Sequence, residues 1–290
     1  MRVTRTEQVY IRENSTVSNL CHISKNLYNQ VNYILRQQFF NHEKMSNYYS
    51  LVRQFQPDEQ GNYRKLPAQT AQWTIKKVIQ AWTSYFKAMG EYRKDPKKFA
   101  GMPKPPRYKE KDGEFMLIFT NQQCRIENGI LKFPKIMNLE VKTRLNDVDL
   151  REVRIVPQGA GYMVEIVYSK EINAYEAKHR RVMGIDIGVR NIVTIADNIS
   201  GEGIAVRGGV LKSINQYFNK EYARLKAVSD RQVSRKLTKR EKKLFANRNR
   251  KIKDIMHKLS KAIISYALTK NIDTIVIGHN PGWKQSPDLG

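Results

Sequence analysis

The residue with the clearest chemical promise is Asp186. It stands in Met183-Gly184-Ile185-Asp186-Ile187-Gly188-Val189-Arg190-Asn191, a short apolar run with a single carboxylate in its middle. Burying a lone carboxylate among apolar residues is costly unless something compensates its charge. A divalent cation is one compensation. Magnesium is a hard ion that prefers oxygen ligands, and carboxylates supply them. A lysine or arginine partner is the second reading, and it would make Asp186 structural. Phosphate-site chemistry of the sugar-kinase type is the third. There Asp-x-Gly is usually followed by Thr or Ser, whereas Val189 follows Gly188 here. The metal ligand ranks first and the ion pair second. Gly188, without a side chain, would let a phosphate backbone approach.

A second set of residues offers phosphate contacts. Between Lys220 and Lys261 there are sixteen Lys or Arg against four Asp or Glu. Lys220, Arg224, Arg231, Arg235, Lys236, Lys239, Arg240, Lys242, Lys243, Arg248, Arg250, Lys251 and Lys253 are the candidates, joined by Arg190 near the carboxylate and by Lys104 and Arg107 upstream. A charge run is often only a solvated helix face, but one this one-signed suits a phosphate-tracking surface. The whole chain carries a net charge of +25 and a pI of about 10.0. That excess points to nucleic acid as partner. An anionic membrane is the weaker alternative, since neither an apolar span nor a terminal leader is seen. The two cysteines, Cys21 and Cys124, are far apart. They imply a reducing, cytoplasmic compartment, no disulfide framework and no zinc site built from four cysteines.

The elements that must position these groups follow from periodicity. Arg2 to Tyr10 reads as a first strand. From Val17, apolar residues at Leu20, Ile23, Leu27, Val31, Ile34, Leu35 and Phe39 have helical spacing. A second helical piece is expected over Met45 to Phe55. The strongest helix is Leu66 to Met89, with Ile75, Val78, Ile79, Trp82, Tyr85, Phe86 and Met89 on one face. That aromatic stripe suits the core of a helical bundle better than a base-stacking platform. Residues 93–113 mix prolines with lysines and read as a basic linker, either a solvated loop or a phosphate contact. Strands are expected at Phe115–Phe119 and on both sides of Asn128-Gly129, a strong hairpin signal. Two more flank Pro157 to Gly161. The first strand is expected to join them, with the helices inserted between.

Three further strands are expected at 182–189, 192–196 and 203–207. A helix with Ile214, Tyr217, Phe218, Tyr222 and Leu225 on one face follows. A longer one has Ile252, Ile255, Met256, Leu259, Ile263, Tyr266 and Ala267 on its apolar face, and a last strand spans Asp273–Gly278. Three strands, helices and a strand, with an acid in the first strand, is how an RNase H-like domain begins. Such nucleases hold two divalent cations between carboxylates from separate elements.

With these residues in view, the chain resembles TnpB (OrfB), the RNA-guided nucleases of prokaryotic insertion sequences. The resemblance rests on Met183–Asn191, on the basic helices and on Asp273-Thr274-Ile275-Val276-Ile277-Gly278-His279-Asn280-Pro281-Gly282-Trp283-Lys284-Gln285, where Gly278, Asn280, Trp283, Lys284 and Gln285 form a motif of one branch. It implies an α+β multidomain fold. A helical bundle is inserted in a small antiparallel β barrel, and an incomplete RNase H-like (RuvC) α/β domain follows. The expected boundaries are 1–12 for the first barrel strand and 13–95 for the helical recognition domain, described in the family as helix-turn-helix. The basic linker is expected at 96–113, the wedge-like barrel at 114–178 and the partial RuvC domain at 179–290. The resemblance also implies guide RNA and double-stranded DNA as partners, and Mg2+-dependent cleavage with Asp186 as catalytic ligand. Most members carry a glutamate where Gly278 stands, and the branch with Trp-Lys-Gln supplies it further along. Neither that residue, the third carboxylate nor the zinc ribbon is in these 290 residues. The expectation is therefore a truncated member that binds nucleic acid without cutting it. The alternative is a non-catalytic binder or an inert remnant of a mobile element.

Overall fold

Apolar residues at helical spacing build the first half of the chain. A computed structural model describes residues 1–173, 178, 180–231 and 237–278. It divides into two units, Met1–Ile172 and Asn173–Gly290. In the first, β1 (Arg2–Arg12) leads into α1 (Ser15–Phe40), α2 (Tyr48–Phe55) and α3 (Ala68–Lys94). α1 starts where Asn14 Oδ1 accepts the backbone N–H of Val17 at 3.0 Å. This N-cap bond satisfies a donor that the helix itself cannot. Val17, Leu20, Leu27, Val31 and Leu35 of α1 share one buried core with Ala71, Ile75, Val78 and Trp82 of α3. α2 starts later than its apolar residues suggest, because Asn47 caps it and accepts from Ser50 N at 3.0 Å.

The strands of this unit are β2 (Leu117–Thr120), β3 (Arg125–Glu127), β4 (Ile130–Lys132), β5 (Glu140–Lys142), β6 (Asp149–Gln158) and β7 (Gly161–Glu171). They form two sheets, in the orders β1-β7-β6-β2 and β3-β4-β5. β1 runs antiparallel to β7 along its whole length, Arg2 opposite Glu171 and Arg12 opposite Gly161. The three helices therefore enter the chain between two paired strands. The β3–β4 turn is made by Asn128 and Gly129, with φ of 50° and 72°. Both positive values suit the tight hairpin that this dipeptide favours.

The stretch expected as a basic linker is not free. α3 continues through Lys94, and Pro96–Lys98 adds a short 3-10 turn. Beyond it the backbone is tied to α1. Arg36 Nη1 and Asn32 Nδ2 donate to the Pro106 carbonyl, at 2.8 and 3.2 Å. Asn29 exchanges bonds with the Lys109 backbone in both directions, at 2.9 and 2.8 Å. Lys25 Nζ donates to the Lys111 carbonyl, and His22 Nδ1 lies 3.2 Å from the Gly113 carbonyl. Positions 22, 25, 29, 32 and 36 recur every three or four residues, so they form one stripe of the helix. The segment is a strap laid antiparallel on α1. Lys25 is nearly inaccessible, and burial pushes its ammonium pKa below the usual range, with Asp112 partly opposing.

In the second unit, β8 (Val182–Asp186), β9 (Asn191–Asp197) and β10 (Gly203–Arg207) precede α4 (Gly209–Arg231), α5 (Lys239–Thr269) and β11 (Thr274–Ile277). The sheet order is β10-β9-β8-β11. β8 is antiparallel to β9 and parallel to β11. Met183, Ile185, Ile192, Val193 and Ile195 pack with Ala267 of α5, and Leu259, Ile263 and Tyr266 border them. α4 and α5 meet through Phe218, Tyr222 and Phe245, with ring centroids 4.8–5.7 Å apart. Tyr217, expected on the apolar face, is instead 61% exposed. α5 begins with a capping box, in which Thr238 Oγ1 accepts from Glu241 N and Glu241 Oε2 accepts from Thr238 N.

Candidate nucleic-acid interface and metal position

Asp186 is the last residue of β8, across from Thr194 of β9. The strand alternates: Met183 and Ile185 are buried, while Gly184 and Asp186 are exposed. The carboxylate thus faces water on the side of the sheet away from the apolar core. The expectation of a buried carboxylate is therefore corrected: no burial cost has to be compensated. No lysine or arginine among the described residues lies within ion-pair distance of it.

β8 also ends sooner than expected. At Ile187 the chain leaves the sheet and returns at Asn191. Gly188 N donates to the Ile192 carbonyl at 3.4 Å, and a Cβ on Gly188 would come 3.0 Å from the Asn191 carbonyl oxygen. Gly208 closes the same corner. Its N–H donates to the Arg190 carbonyl at 2.9 Å, and a Cβ there would meet the Val189 carbonyl oxygen at 2.7 Å. The turn requires glycine at 208 and leaves little room for a side chain at 188. Arg190 is exposed on it.

On the other side of β8, Gly278 follows β11 and donates its N–H to the Ile185 carbonyl at 2.8 Å. A Cβ on Gly278 would lie 3.5 Å from Asp186 Oδ1. Position 278 is therefore the place from which a second side chain would reach the carboxylate. Asp273 is not. It precedes Thr274, which pairs with Val182, so it sits at the opposite end of the strand pair, about 16 Å away at the usual rise per residue. There it accepts from Arg180 N at 3.3 Å and from Thr274 Oγ1 at 2.8 Å.

A second acid of this unit has no signal of its own in the sequence. Asp197 ends β9 and is nearly buried. It accepts from Tyr266 OH on α5, from Ile199 N at 2.8 Å and from Ser200 N at 2.7 Å. The Tyr266 hydroxyl first, then the Ser200 and Ile199 amides, hold its carboxyl well below the usual range. Its bonds tie the β9–β10 turn to α5, so its role is structural.

The basic candidates divide. Lys220, Arg224 and Arg231 on α4 are exposed, as are Lys239, Arg240, Lys242, Lys243, Arg250, Lys251 and Lys253 on α5. Arg224 pairs with Glu221 at 3.0 Å, and Arg250 donates to Asn247 at 2.5 Å. Arg248 is different. Its Nε donates to Asn215 Oδ1 at 2.8 Å, and its guanidinium lies 5.0 Å from the centre of the Phe218 ring. It joins α4 to α5 and is drawn inward from the face where the charge pattern put it. Lys104 and Arg107 are exposed in and beside the strap. Arg235, Lys236, Asn280, Trp283, Lys284 and Gln285 lie outside the described residues.

The chain is thus a mixed α/β protein in which a sheet with one outward carboxylate adjoins a strongly basic helical hairpin. Residues 165–284 match the family OrfB_IS605, described as "Probable transposase". A TnpB-like protein, ORF457 of Acidianus two-tailed virus, is 22% identical over 90% of this chain. The chain spans 64% of that relative's length. Both matches agree with the resemblance to TnpB drawn from Met183–Asn191 and the basic helices. Among solved structures, a Cas12f1–sgRNA–target DNA complex covers 95% of this chain and 67% of its own, at 12% identity and a TM-score of 0.49. A CRISPR-Cas12f ternary complex covers 93% and 64%, at 13% identity and a TM-score of 0.32. Among the described residues no helix is long and apolar enough to cross a membrane.

Proposed function

We propose that this chain binds nucleic acid through the α4–α5 hairpin, as a transposase-associated protein whose partners are a guide RNA and double-stranded DNA. The observation that carries the reading is the start of α5. Lys239, Arg240, Lys242 and Lys243 are all exposed there, and the one acid among them, Glu241, is buried in the capping box. A helix N-terminus carries about half a positive charge, so cations in its first turn are unfavourable. A merely solvated face has no reason to collect them at that end, whereas a phosphate backbone would be held by dipole and side chains together.

The sheet pattern, antiparallel β10-β9-β8 with β11 parallel beside β8, supports reading residues 179–290 as part of an RNase H-like (RuvC) domain. The two sheets of the first unit are read as the wedge-like barrel, and residues 13–95 as the helical recognition domain. The Mg2+ that this reading implies is a separate matter. Such an ion takes its protein ligands from one or two carboxylates and is completed by water and phosphate. Asp186 is the candidate ligand. Among the described residues no group of three or more His, Cys, Asp or Glu is arranged to hold a metal. These residues do not fit a two-metal centre and supply no cleavage step by themselves. The reading is therefore a binder that does not cut.

The test uses the 290-residue chain with labelled duplex DNA and a structured RNA, with and without Mg2+. Salt-sensitive binding and intact DNA are expected. Cleavage that disappears in Asp186→Ala would overturn the non-cutting part, and salt-independent or absent binding would overturn the rest.

A further inference from the structure

The aromatic stripe of α3 does not remain core to its end. Val78 and Trp82 are buried, but Phe86 is 43% exposed. Near it, Phe40 at the end of α1 is 55% exposed and Tyr108 on the strap 47%. Phe39 links the patch, with its ring centroid 5.2 Å from that of Phe40 and 6.0 Å from that of Phe86. Arg36 stands against both outer rings, its guanidinium carbon 5.2 Å from the centre of Phe40 and 5.4 Å from that of Tyr108. The same guanidinium donates to the Pro106 carbonyl at 2.8 Å, so it is held in place. Guanidinium–ring contacts are attractive. The strap that carries Tyr108 is itself anchored along α1, and Lys104 and Arg107 are exposed on or beside it.

This combination has a specific chemistry. Aromatic faces accept any unpaired base, and neighbouring cations track the phosphates between bases. A duplex offers no such face, because its bases already stack on each other. A second copy of the chain is disfavoured by a net charge of +25.

We propose that Phe40 and Tyr108, braced by Arg36 and flanked by Lys104 and Arg107, form a stacking platform for unpaired nucleotides of an RNA or DNA strand. The proposal rests on the nucleic-acid reading above but uses a surface of the first unit that the reading does not need. Leucine at both ring positions keeps apolar bulk and removes the π faces. The full chain and its Phe40→Leu/Tyr108→Leu variant are compared by fluorescence anisotropy. The probes are a short oligothymidylate, an oligouridylate of equal length and a duplex of equal length. Single-strand affinity is expected to fall roughly tenfold or more, with duplex affinity unchanged. The thymidylate and uridylate arms tell which sugar is preferred. Equal loss on strand and duplex, or no loss on either strand, overturns the proposal. If the wild type binds duplex but neither strand, this proposal alone falls; if it binds nothing, the hairpin reading falls too. A second measurement does not depend on the variant folding. Photo-crosslinking of the wild-type chain to a strand containing 5-iodouracil is expected to label Tyr108 or Phe40, and labels confined to α5 would overturn the platform.

Discussion

Neutralising the cations at the start of α5 separates binding from stability, because the two should move in opposite directions. The variant replaces Lys239, Arg240, Lys242 and Lys243 by glutamine together and leaves the Thr238–Glu241 box intact. Each cation in a helix's first turn costs about 0.3–1 kcal/mol. Removing them should therefore stabilise the second unit by about 1–2 kcal/mol in sum, since the effect fades past the first turn. Binding should weaken. Each lost phosphate contact makes the slope of log K against log salt shallower by about 0.9 on duplex DNA, so four contacts would change it by about 3.6. At about 0.1 M salt that is roughly eightfold in affinity per contact. Anisotropy titrations across a salt series give the slope, and thermal melts give the stability. An unchanged slope would refute the interface, whatever the affinity did. A fall in melting temperature would refute the argument that these charges are misplaced for the helix.

Three further outcomes follow from the geometry. Gly278→Glu sets a second carboxylate beside Asp186, within reach of the 3.5 Å approach at that position. Manganese binding, read by electron paramagnetic resonance, is expected to appear in this variant and vanish in Gly278→Glu/Asp186→Ala; identical spectra for the two would refute the juxtaposition. Tyr266→Phe removes a donor to Asp197. Because the folded carboxyl titrates below its unfolded value, this contribution is present above the unfolded pKa and lost as pH falls through the folded one. The melting-temperature gap between wild type and Tyr266→Phe should thus be full near neutrality and close in acid below about pH 4, and a gap independent of pH would contradict it. Asn32 accepts from Trp82 Nε1 at 2.9 Å and donates to Pro106. Asn32→Leu leaves the buried Trp82 Nε1–H unpaired, while the Pro106 carbonyl keeps Arg36, and should destabilise by roughly 1–3 kcal/mol in urea unfolding; an unchanged stability would refute it.

Local features are legible in the sequence because their causes are local. Asn128-Gly129 needs only its own backbone preference to make a turn, and Ile75, Val78 and Trp82 need only the helical period to share a face. Non-local arrangements were harder. The polar stripe from His22 to Arg36 has the look of a solvent face, and nothing in α1 alone reveals that its donors end on strap carbonyls about eighty residues away. β5 is three residues long with one buried side chain, Val141, too little for a period to register. Ile187 and Val189 continue the apolar run and so suggest a buried Asp186, yet both are exposed in the turn around Gly188 and Gly208. Arg248 counted as surface charge because its partners, Asn215 and Phe218, lie on the other helix. The Thr238–Glu241 box is written in the sequence as Thr-x-x-Glu, though the surrounding positive charge masks it.

The β1–β7 ladder also has a timetable. Arg12 pairs with Gly161 and Arg2 with Glu171, so the ribosome adds about 150 residues or more between the partners. At about 5–20 residues per second that is a wait of roughly 8–30 s. During it α1, α2 and α3 can fold on one another, because their contacts lie within the segment already made. β1 meanwhile has no strand beside it, and an unpaired strand is a template for pairing with other chains. Arg2, Arg5 and Arg12 place like charges along it, and two nascent copies brought together there would repel. This eleven-residue strand therefore stays open to mispairing during synthesis until Gly161 arrives, and the charge of its arginines opposes that.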